Sequence, residues 1–133
     1  MKYIPQSAPF EMIDTLLSYD NGVTVTQLTI TSTNIFAENG YFLEAGLLEN
    51  MAQTAASGTG YLAHKEGKQP PVGFIGAIKG FKLNRLPKVG ETITTTVQPT
   101  MTIGNVQVIE AKVCIGQEEI ACAEYKIFLQ EEQ

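Results

Sequence analysis

The carboxyl group whose surroundings best suit it to chemistry is that of Glu49, inside the run LEAGLLENMAQTAASGTGY from Leu43 to Tyr61. At 100° per residue, apolar residues cover more than half the circumference of this run, which predicts a buried core helix. Glu49 borders that face, where loss of hydration would favour the protonated carboxyl and suit it to acid or base work. The alternative is that Glu49 simply reaches solvent. The apolar residues are Leu43, Leu47, Leu48, Met51, Ala52, Ala55, Ala56 and Leu62.

The remaining side of the predicted helix carries small and polar residues, so that another backbone or a ligand could approach it closely. We predict that Gly58, Gly60 and the polar run His64 to Gln69 end the helix. The residues of this lane are Gly46, Glu49, Asn50, Gln53, Ser57 and Gly60.

The other reactive side chains suggest no second catalytic centre. His64 is the only histidine and falls in the polar run after the helix, so we interpret it as a solvated surface residue. Cys114 and Cys122 lie in strand-like runs without a CxxC motif, which predicts unpaired core thiols in a reduced, cytoplasmic setting. We predict no metal and no cofactor.

Charge and length exclude several classes of protein. The net charge is -5, with 9 Lys and Arg against 14 Asp and Glu, so a nucleic-acid partner is not expected. No apolar run approaches the roughly 18 residues that cross a bilayer, and no signal peptide is visible at the N-terminus. We expect a soluble protein with a single domain over residues 1–133.

The predicted elements before the core helix are one short helix and one strand. Pro9 suits a first helical turn, and Phe10, Ile13 and Leu17 follow at helical spacing, which predicts a short amphipathic helix within Ile4 to Leu17. The turn signal Asp20-Asn21-Gly22 precedes a β-branched run. The apolar residues of this run change from odd-numbered to even-numbered positions, which predicts a bulge or a face switch near Gln27. A loop from Thr33 to Phe42 follows.

Four strand-like runs follow the core helix, separated by turn residues that make successive runs antiparallel neighbours. Together with the long helix they predict an α+β fold, with one curved antiparallel sheet wrapped around that helix. An exposed sheet edge in so small a domain also predicts at least a dimer. The runs are Val72 to Leu83, Glu91 to Ile103, Val106 to Ile115 and Glu119 to Leu129.

Four stretches, in this order, resemble the hot-dog fold dehydratases that act on 3-hydroxyacyl thioesters of acyl carrier protein. They are Ile4-Pro5 with Pro9-Phe10 and Ile13-Asp14, LLENMAQTAA (Leu47 to Ala56), GFIGAIKGFKLNRLPKVGETI (Gly73 to Ile93) and AEYKIFL (Ala123 to Leu129). The resemblance implies that Glu49 is the catalytic acid and that Gln53 matches the glutamine of the family's helix signature, which we expect to bind substrate.

The catalytic histidine of that family is absent, because its position is occupied by Ile35. In the same loop only Glu38 could replace it as a base, and Asn34, Ile35 and Asn39 are candidate substrate contacts. Ordinary turn and capping roles are the alternative for the polar residues of this loop. Gly46 is the nearest substitute for the family's oxyanion-binding glycine, since amides at a helix start can polarise a thioester oxygen.

The resemblance therefore implies a 3-hydroxyacyl-thioester dehydratase of fatty-acid or polyketide-type synthesis, with an acyl carrier protein or coenzyme A thioester as substrate. A second hypothesis is a half-site subunit that lends Glu49 to a histidine-bearing hot-dog chain, as divergent chains of aryl-polyene pathways suggest. A third is a thioesterase. We expect a homodimer or higher oligomer, or a heteromer with another hot-dog chain.

Overall fold

The computed structural model describes residues 2–130. One long helix, α1, packs against a six-stranded antiparallel sheet, and two short strands form a separate hairpin. This is the predicted α+β arrangement of one sheet around one long helix. The elements are β1 (Thr15–Asp20), β2 (Val23–Thr29), β3 (Ala37–Glu38), β4 (Tyr41–Phe42), α1 (Glu44–Lys65), β5 (Gly73–Leu83), β6 (Thr92–Ile103), β7 (Val106–Ile115) and β8 (Glu118–Leu129).

The four late strands begin and end within one residue of their predicted bounds, but their pairing differs at one point. The strand order is β1-β2-β6-β7-β8-β5, so β5 lies at the edge and pairs with β8, whereas β6 pairs with β2 and β7. The prediction that β5 and β6 are neighbours is therefore wrong. Residues 84–91 do not form a tight hairpin, because they cross the end of the sheet.

An arginine cluster holds this crossing segment in place. The Arg85 guanidinium donates to both carboxylate oxygens of Glu91, at 2.8 and 3.0 Å, and to the carboxylate of Glu118 at the start of β8. The backbone N–H of Lys88 also donates to Glu91. The hydrogen bonds from Arg85, followed by the one from Lys88, lower the pKa of Glu91 to about 2.

The low pKa of Glu91 predicts an acid-sensitive contribution to stability. Because its folded-state pKa of about 2 is below its ordinary value of 4.5, the contribution is present above pH 4.5 and is lost as the pH falls toward 2. Glu91→Gln should flatten the free energy of unfolding across that window, as measured by urea titrations at several pH values. Glu124→Gln, on β8 outside the cluster, is the control. An unchanged slope in Glu91→Gln would contradict the assignment.

Strand β2 turns a uniform face to the core, so the predicted bulge near Gln27 is wrong. Thr24, Thr26 and Leu28 are buried along β2, and the register with β6 is continuous. The irregularity lies instead on β1, between Leu16 and Ser18. The positions of the apolar residues alone did not show which side of β2 faces the core, because buried threonines occupy two of the inward positions.

Helix α1 continues four residues beyond the predicted end at Tyr61. Gly58 and Gly60 do not end it, because each makes room for a close neighbour. A Cβ on Gly58 would lie 2.0 Å from the hydroxyl oxygen of Thr24, and one on Gly60 would lie 2.2 Å from the backbone carbonyl oxygen of Tyr3. Both glycines are buried within the helix.

The predicted N-terminal helix is absent from the structure. Residues 2–14 form a strap along α1 without helix or strand and with one turn, in which the N–H of Phe10 donates to the carbonyl of Ser7; Phe10 is 60% exposed, and Leu17 belongs to β1. Side chains of α1 bind the backbone of the strap: Ser57 donates to the carbonyl of Lys2, and Asn50 donates to that of Met12. The helical spacing of the apolar residues in this segment was therefore coincidental.

Candidate functional site

An elongated groove of about 790 Å³ runs along α1, and we call it the α1 groove. One wall is residues 3–6 of the strap, and the other consists of the ends of β5, β7 and β8. The helix contributes small side chains, which leave room for a narrow ligand. Glu49 and His64 both line the groove, and 15 residues of helix place them about 22 Å apart along the axis. The lining residues from α1 are Glu49, Ala52, Gln53, Ala55, Ala56, Thr59, Gly60 and His64.

Helix α1 is buried on the predicted apolar face, where Leu47 and Met51 are completely buried in the core, and on the small and polar lane as well. In the lane, Asn50, Gln53 and Ser57 are each at most 1% exposed. Ala52, Ala55 and Ala56 are only half-buried and line the α1 groove. A backbone does approach the lane closely, as predicted, but it is the chain's own strap.

Gln53 holds the carboxyl group of Glu49. Its amide nitrogen donates to Glu49 Oε1 at 2.9 Å and to the carbonyl of Phe10 at 2.9 Å, while its oxygen accepts from the N–H of Met12 at 2.7 Å. Both amide hydrogens are thereby committed within the protein. The hydrogen bonds of Gln53 therefore position the Glu49 side chain, and Glu49 itself lines the α1 groove.

Tyr125 anchors the helix next to Glu49. This tyrosine is completely buried on β8, and its hydroxyl donates to the carbonyl of Leu48 at 2.6 Å. Burial, followed by the negative charge of Glu49, raises the pKa of Tyr125 well above its ordinary value. The phenol is therefore neutral and fixes the helix at the residue before Glu49. Sequence analysis missed it, although a tyrosine at an inward position of β8 needs such a partner.

Asn50 is a second residue that anchors the helix turn of Glu49. The sequence predicted only that Asn50 lies in the lane of small and polar residues. Its side-chain nitrogen donates to the carbonyl of Met12 at 2.7 Å, and its oxygen accepts from the Thr95 hydroxyl at 2.6 Å. The helix turn that carries Glu49 is thus bound to the strap on one side and to the sheet on the other.

The loop candidates lie outside the α1 groove, but Asn34 contacts the strap beside this site: its Nδ2 lies 3.5 Å from the sulfur of Met12, whose backbone is bound by Gln53 and Asn50. Asn34 accepts a hydrogen bond from the N–H of Phe36 at 2.8 Å, which is a turn role. Glu38 and Asn39 belong to the β3–β4 hairpin, where Asn39 (φ 53°) and Gly40 (φ 83°) form the turn. Ile35 is 45% exposed. None of the four candidates lines the α1 groove, so their predicted roles depend on an approach from another chain.

Gly46 is used for packing at the start of α1. A Cβ there would lie 2.5 Å from the ring of Phe42, and the N–H of Gly46 donates to the carbonyl of Leu43. Among the described residues, the first amides of the helix without such a bond are those of Glu44 and Ala45. An oxyanion site at this helix start would therefore use Glu44 or Ala45 more readily than Gly46.

The remaining reactive residues agree with their sequence-based interpretation. His64 is exposed, as predicted, with its ring centroid 5.3 Å from that of Tyr3. Cys114 and Cys122 are free, as predicted, but they are half-buried and do not belong to the core. Within residues 2–130, no three His, Cys, Asp or Glu side chains converge as metal ligands, and no helix is long and apolar enough to cross a membrane.

The comparisons with known proteins agree with this geometry. The family model described as ApeP-like, ApeP dehydratase, matches residues 1–133. The chain belongs to the ApeP-like dehydratase family. No curated protein matches its sequence. The family match covers every residue of the chain, so it includes the strap, α1 and all strands of the sheet.

Solved structures confirm the hot-dog fold for this ApeP-like chain. The dehydratase heterocomplex ApeI:P from Xenorhabdus doucetiae has a TM-score of 0.89 at 12% identity, covering 98% of this chain and 90% of that chain. The PaaI protein of the Escherichia coli phenylacetic acid degradation operon has a TM-score of 0.72 at 16% identity, covering 90% and 80%. A hypothetical thioesterase with coenzyme A from Streptococcus pneumoniae has a TM-score of 0.72 at 10% identity, covering 90% and 87%.

The hydrogen bonds of Gln53 predict that it stabilises the fold more than Glu49 does. Gln53→Leu should lower the free energy of unfolding by about 1–3 kcal/mol, because the buried N–H of Met12 loses its acceptor. Glu49→Gln retains an oxygen that can accept from Gln53 and should change stability by less than about 0.5 kcal/mol. Urea unfolding of the two variants measures the difference. Equal losses would show that Glu49 is a structural residue.

Proposed function

We propose that this ApeP-like chain takes part in the dehydration of 3-hydroxyacyl thioesters to 2-enoyl thioesters, with Glu49 as the general acid. The observation that carries the proposal is a carboxyl group held by Gln53 at 2.9 Å, facing a narrow groove with small side chains. Such a groove accepts an elongated acyl chain, and membership of a dehydratase family supports the reaction class.

The chemistry assigns one oxygen of Glu49 to the reacting hydroxyl. Because Oε1 accepts from Gln53, Oε2 is the oxygen from which the proposed general acid would give a proton to the 3-hydroxyl as the C3–O bond breaks. A base removes a proton from C2, the electron pair of that C–H bond forms the C2–C3 double bond, and water leaves. The carboxylate left on Glu49 is then reprotonated before the next turnover.

A base for the C2 proton has to come from outside the α1 groove of this protomer. The only histidine, His64, lies about 22 Å from Glu49 along the helix, and Ile35 occupies the position of the family histidine. We therefore propose that the active form is a half-site subunit, which lends Glu49 to a hot-dog chain bearing a histidine. The resemblance to a dehydratase heterocomplex supports this arrangement.

Strand β5 is the proposed contact for the second chain. It pairs with β8 on one side only, which leaves a row of backbone groups for another strand. The apolar side chains of Phe74, Ile75 and Ile78 are each at least 41% exposed along it. Because β5 also borders the α1 groove, a strand paired there would close the groove from its open side.

The edge pairing predicts that a charge on β5 dissociates the oligomer. We expect at least a dimer at micromolar concentration by sedimentation velocity, alone or with the histidine-bearing chain, and a shift toward monomer in Ile78→Lys. The control is Ile103→Lys, which places the same charge at an exposed apolar position on β6, away from the edge. A monomeric parent protein that still binds acyl thioester would contradict the proposal.

The function is tested by incubating the protein, alone and with a histidine-bearing hot-dog chain, with 3-hydroxyacyl and 2-enoyl pantetheine thioesters. Enoyl absorbance reports dehydration or hydration, and free thiol reports hydrolysis. Glu49→Gln should reduce dehydration by about 10² or more, the scale of general acid catalysis. Thiol release without enoyl formation would indicate thioester hydrolysis, in which Glu49 activates water. If Glu49→Gln changes neither reaction, the enzyme assignment is wrong.

The missing base predicts a gain of function. Ile35→His should raise the dehydratase activity of the isolated protein at least about tenfold, part of the 10²–10⁴ that a positioned base provides. Ile35 is exposed enough to accept an imidazole without repacking the core. Ile35→Gln is the control, because its amide is polar but cannot take up the proton. An equal gain in both variants would show that polarity, not proton transfer, is responsible.

A further inference from the structure

A second cavity lies beside the α1 groove, between the C-terminal half of α1 and the sheet. Its volume is about 500 Å³, and we call it the sheet cavity. Leu62 is 37% exposed and Pro99 is half-buried, so both side chains are accessible to a ligand. The sheet cavity therefore offers apolar contacts from the helix and from the sheet. Its apolar lining residues include Leu62 and Ala63 of α1, Val97 and Pro99 of β6, and Ile109 of β7.

The α1 groove and the sheet cavity meet at a junction whose residues line both spaces. Ala55 is half-buried and has the smallest side chain among them, so it leaves the most room for a ligand to pass. It lies about 9 Å beyond Glu49 along the helix axis. The shared lining residues are Ala55, Thr59, residues 68–72, Gln107 and Leu129.

Residues 68–72 lie at the junction, and backbone hydrogen bonds hold them only at their two ends. The N–H of Lys68 donates to the carbonyl of Ala63 at 2.8 Å. The carbonyl of Val72 accepts from the N–H of Gln130 at 2.8 Å. Two of the residues between these bonds are prolines, and the backbone there makes no hydrogen bond to another backbone group of residues 2–130. A ligand that shifts this short stretch therefore breaks no backbone hydrogen bond.

The helix presents different side chains along the two routes that lead on from the junction. Gly60 and the exposed His64 line the α1 groove, whereas Leu62 and Ala63 line the sheet cavity. Methylene groups are drawn to sites where they lose contact with water against apolar side chains. A long aliphatic chain that starts at Glu49 therefore gains more by turning into the sheet cavity than by passing the imidazole of His64.

We propose that the sheet cavity holds the distal end of the acyl chain, which leaves the α1 groove over Ala55, and that this chain selects long aliphatic acyl thioesters. The inference rests on the proposed acyl-thioester substrate and adds its chain length. With C3 at Glu49, a butanoyl chain ends before Ala55. A tetradecanoyl chain extends past Ala55 toward Leu62, which lies about 20 Å beyond Glu49 along the helix axis.

The test uses saturated acyl pantetheine thioesters, which lack the 3-hydroxyl group and cannot be dehydrated. Binding of the butanoyl and tetradecanoyl ligands to the active assembly is measured by isothermal titration calorimetry, below the concentration at which the long ligand forms micelles. Each methylene removed from water tightens binding about fourfold, so the tetradecanoyl ligand should bind at least about 100-fold more tightly than the butanoyl ligand.

Ala55→Phe tests the junction, because an aromatic ring at this position fills the passage. It should weaken binding of the tetradecanoyl ligand at least about tenfold, which corresponds to the loss of two or more buried methylene groups. Binding of the butanoyl ligand, which ends before the junction, should not change. An Ala55→Phe variant that folds and keeps the full gain with chain length would overturn the inference.

Leu62→Asp and His64→Asp form a matched pair that separates the two routes. Both positions are exposed near the end of α1, but Leu62 lines only the sheet cavity and His64 lines only the α1 groove. A carboxylate beside the end of an aliphatic chain opposes its burial, so Leu62→Asp should weaken binding of the tetradecanoyl ligand about tenfold. His64→Asp should not weaken it.

The outcomes distinguish this inference from the proposed function. Tetradecanoyl binding that is insensitive to Leu62→Asp, or equally sensitive to both Asp variants, overturns the role of the sheet cavity. The same holds if the parent protein binds the two ligands equally well. If Ala55→Phe shows no cooperative urea unfolding, the matched pair decides the question. If the parent protein binds neither thioester, the proposed function itself is wrong.

Discussion

The hydrogen bonds between one face of α1 and the strap are the interaction on which the rest of the structure depends. Asn50, Gln53 and Ser57 are completely buried, yet each has a backbone carbonyl or N–H of the strap as a partner. Buried polar groups are tolerated only when they are satisfied in this way. The strap therefore has to keep its backbone groups free for these side chains, and the helix has to present the polar lane to it over successive turns.

The strap also determines which face of α1 remains available to a ligand. Because the polar lane is covered, the alanine-rich side is left at the wall of the groove, where small side chains make a long and narrow space. Glu49 lies at the boundary between the two faces. It is bound by Gln53 from the covered side and opens to the groove on the other, so the contact that fixes the strap also orients the carboxyl group.

The proposed half-site lies beside the β5 edge of the sheet. The helix turn that carries Glu49 is held in place, because Tyr125 and Asn50 tie it to the sheet. No second proton-transfer group accompanies it in the groove at hydrogen-bonding range among the residues that the structure describes. An edge strand with exposed apolar side chains lies beside the same groove. A rigid half-site next to an unpaired edge is the arrangement expected of a subunit whose chemistry is completed by a second chain.

The sequence by itself determined the elements whose side-chain period is strong. The late strands β5 to β8 could be predicted nearly to the residue, because their patterns extend over ten or more positions and turn residues mark their ends. The long helix could be predicted in place and type, but its end lies four residues later than predicted. Glu49 could be singled out from its place on the helix and from the family resemblance. The two unpaired cysteines and the exposed histidine followed from their spacing and surroundings.

Only the tertiary structure decided which polar residues belong to the core and which strands are neighbours. Thr24 faces inward because Gly58 of α1 leaves room for its side chain, and Thr26 faces inward because its hydroxyl is hydrogen-bonded to that of Thr54. No local sequence pattern predicts these contacts. The strap is not helical, despite the helical spacing of its apolar residues, because distant side chains of α1 bind its backbone groups. The edge position of β5 depends on pairing with β8, some fifty residues later in the chain. Contacts of this kind join residues far apart in sequence, so their physical cause lies in the partner and not in the segment itself.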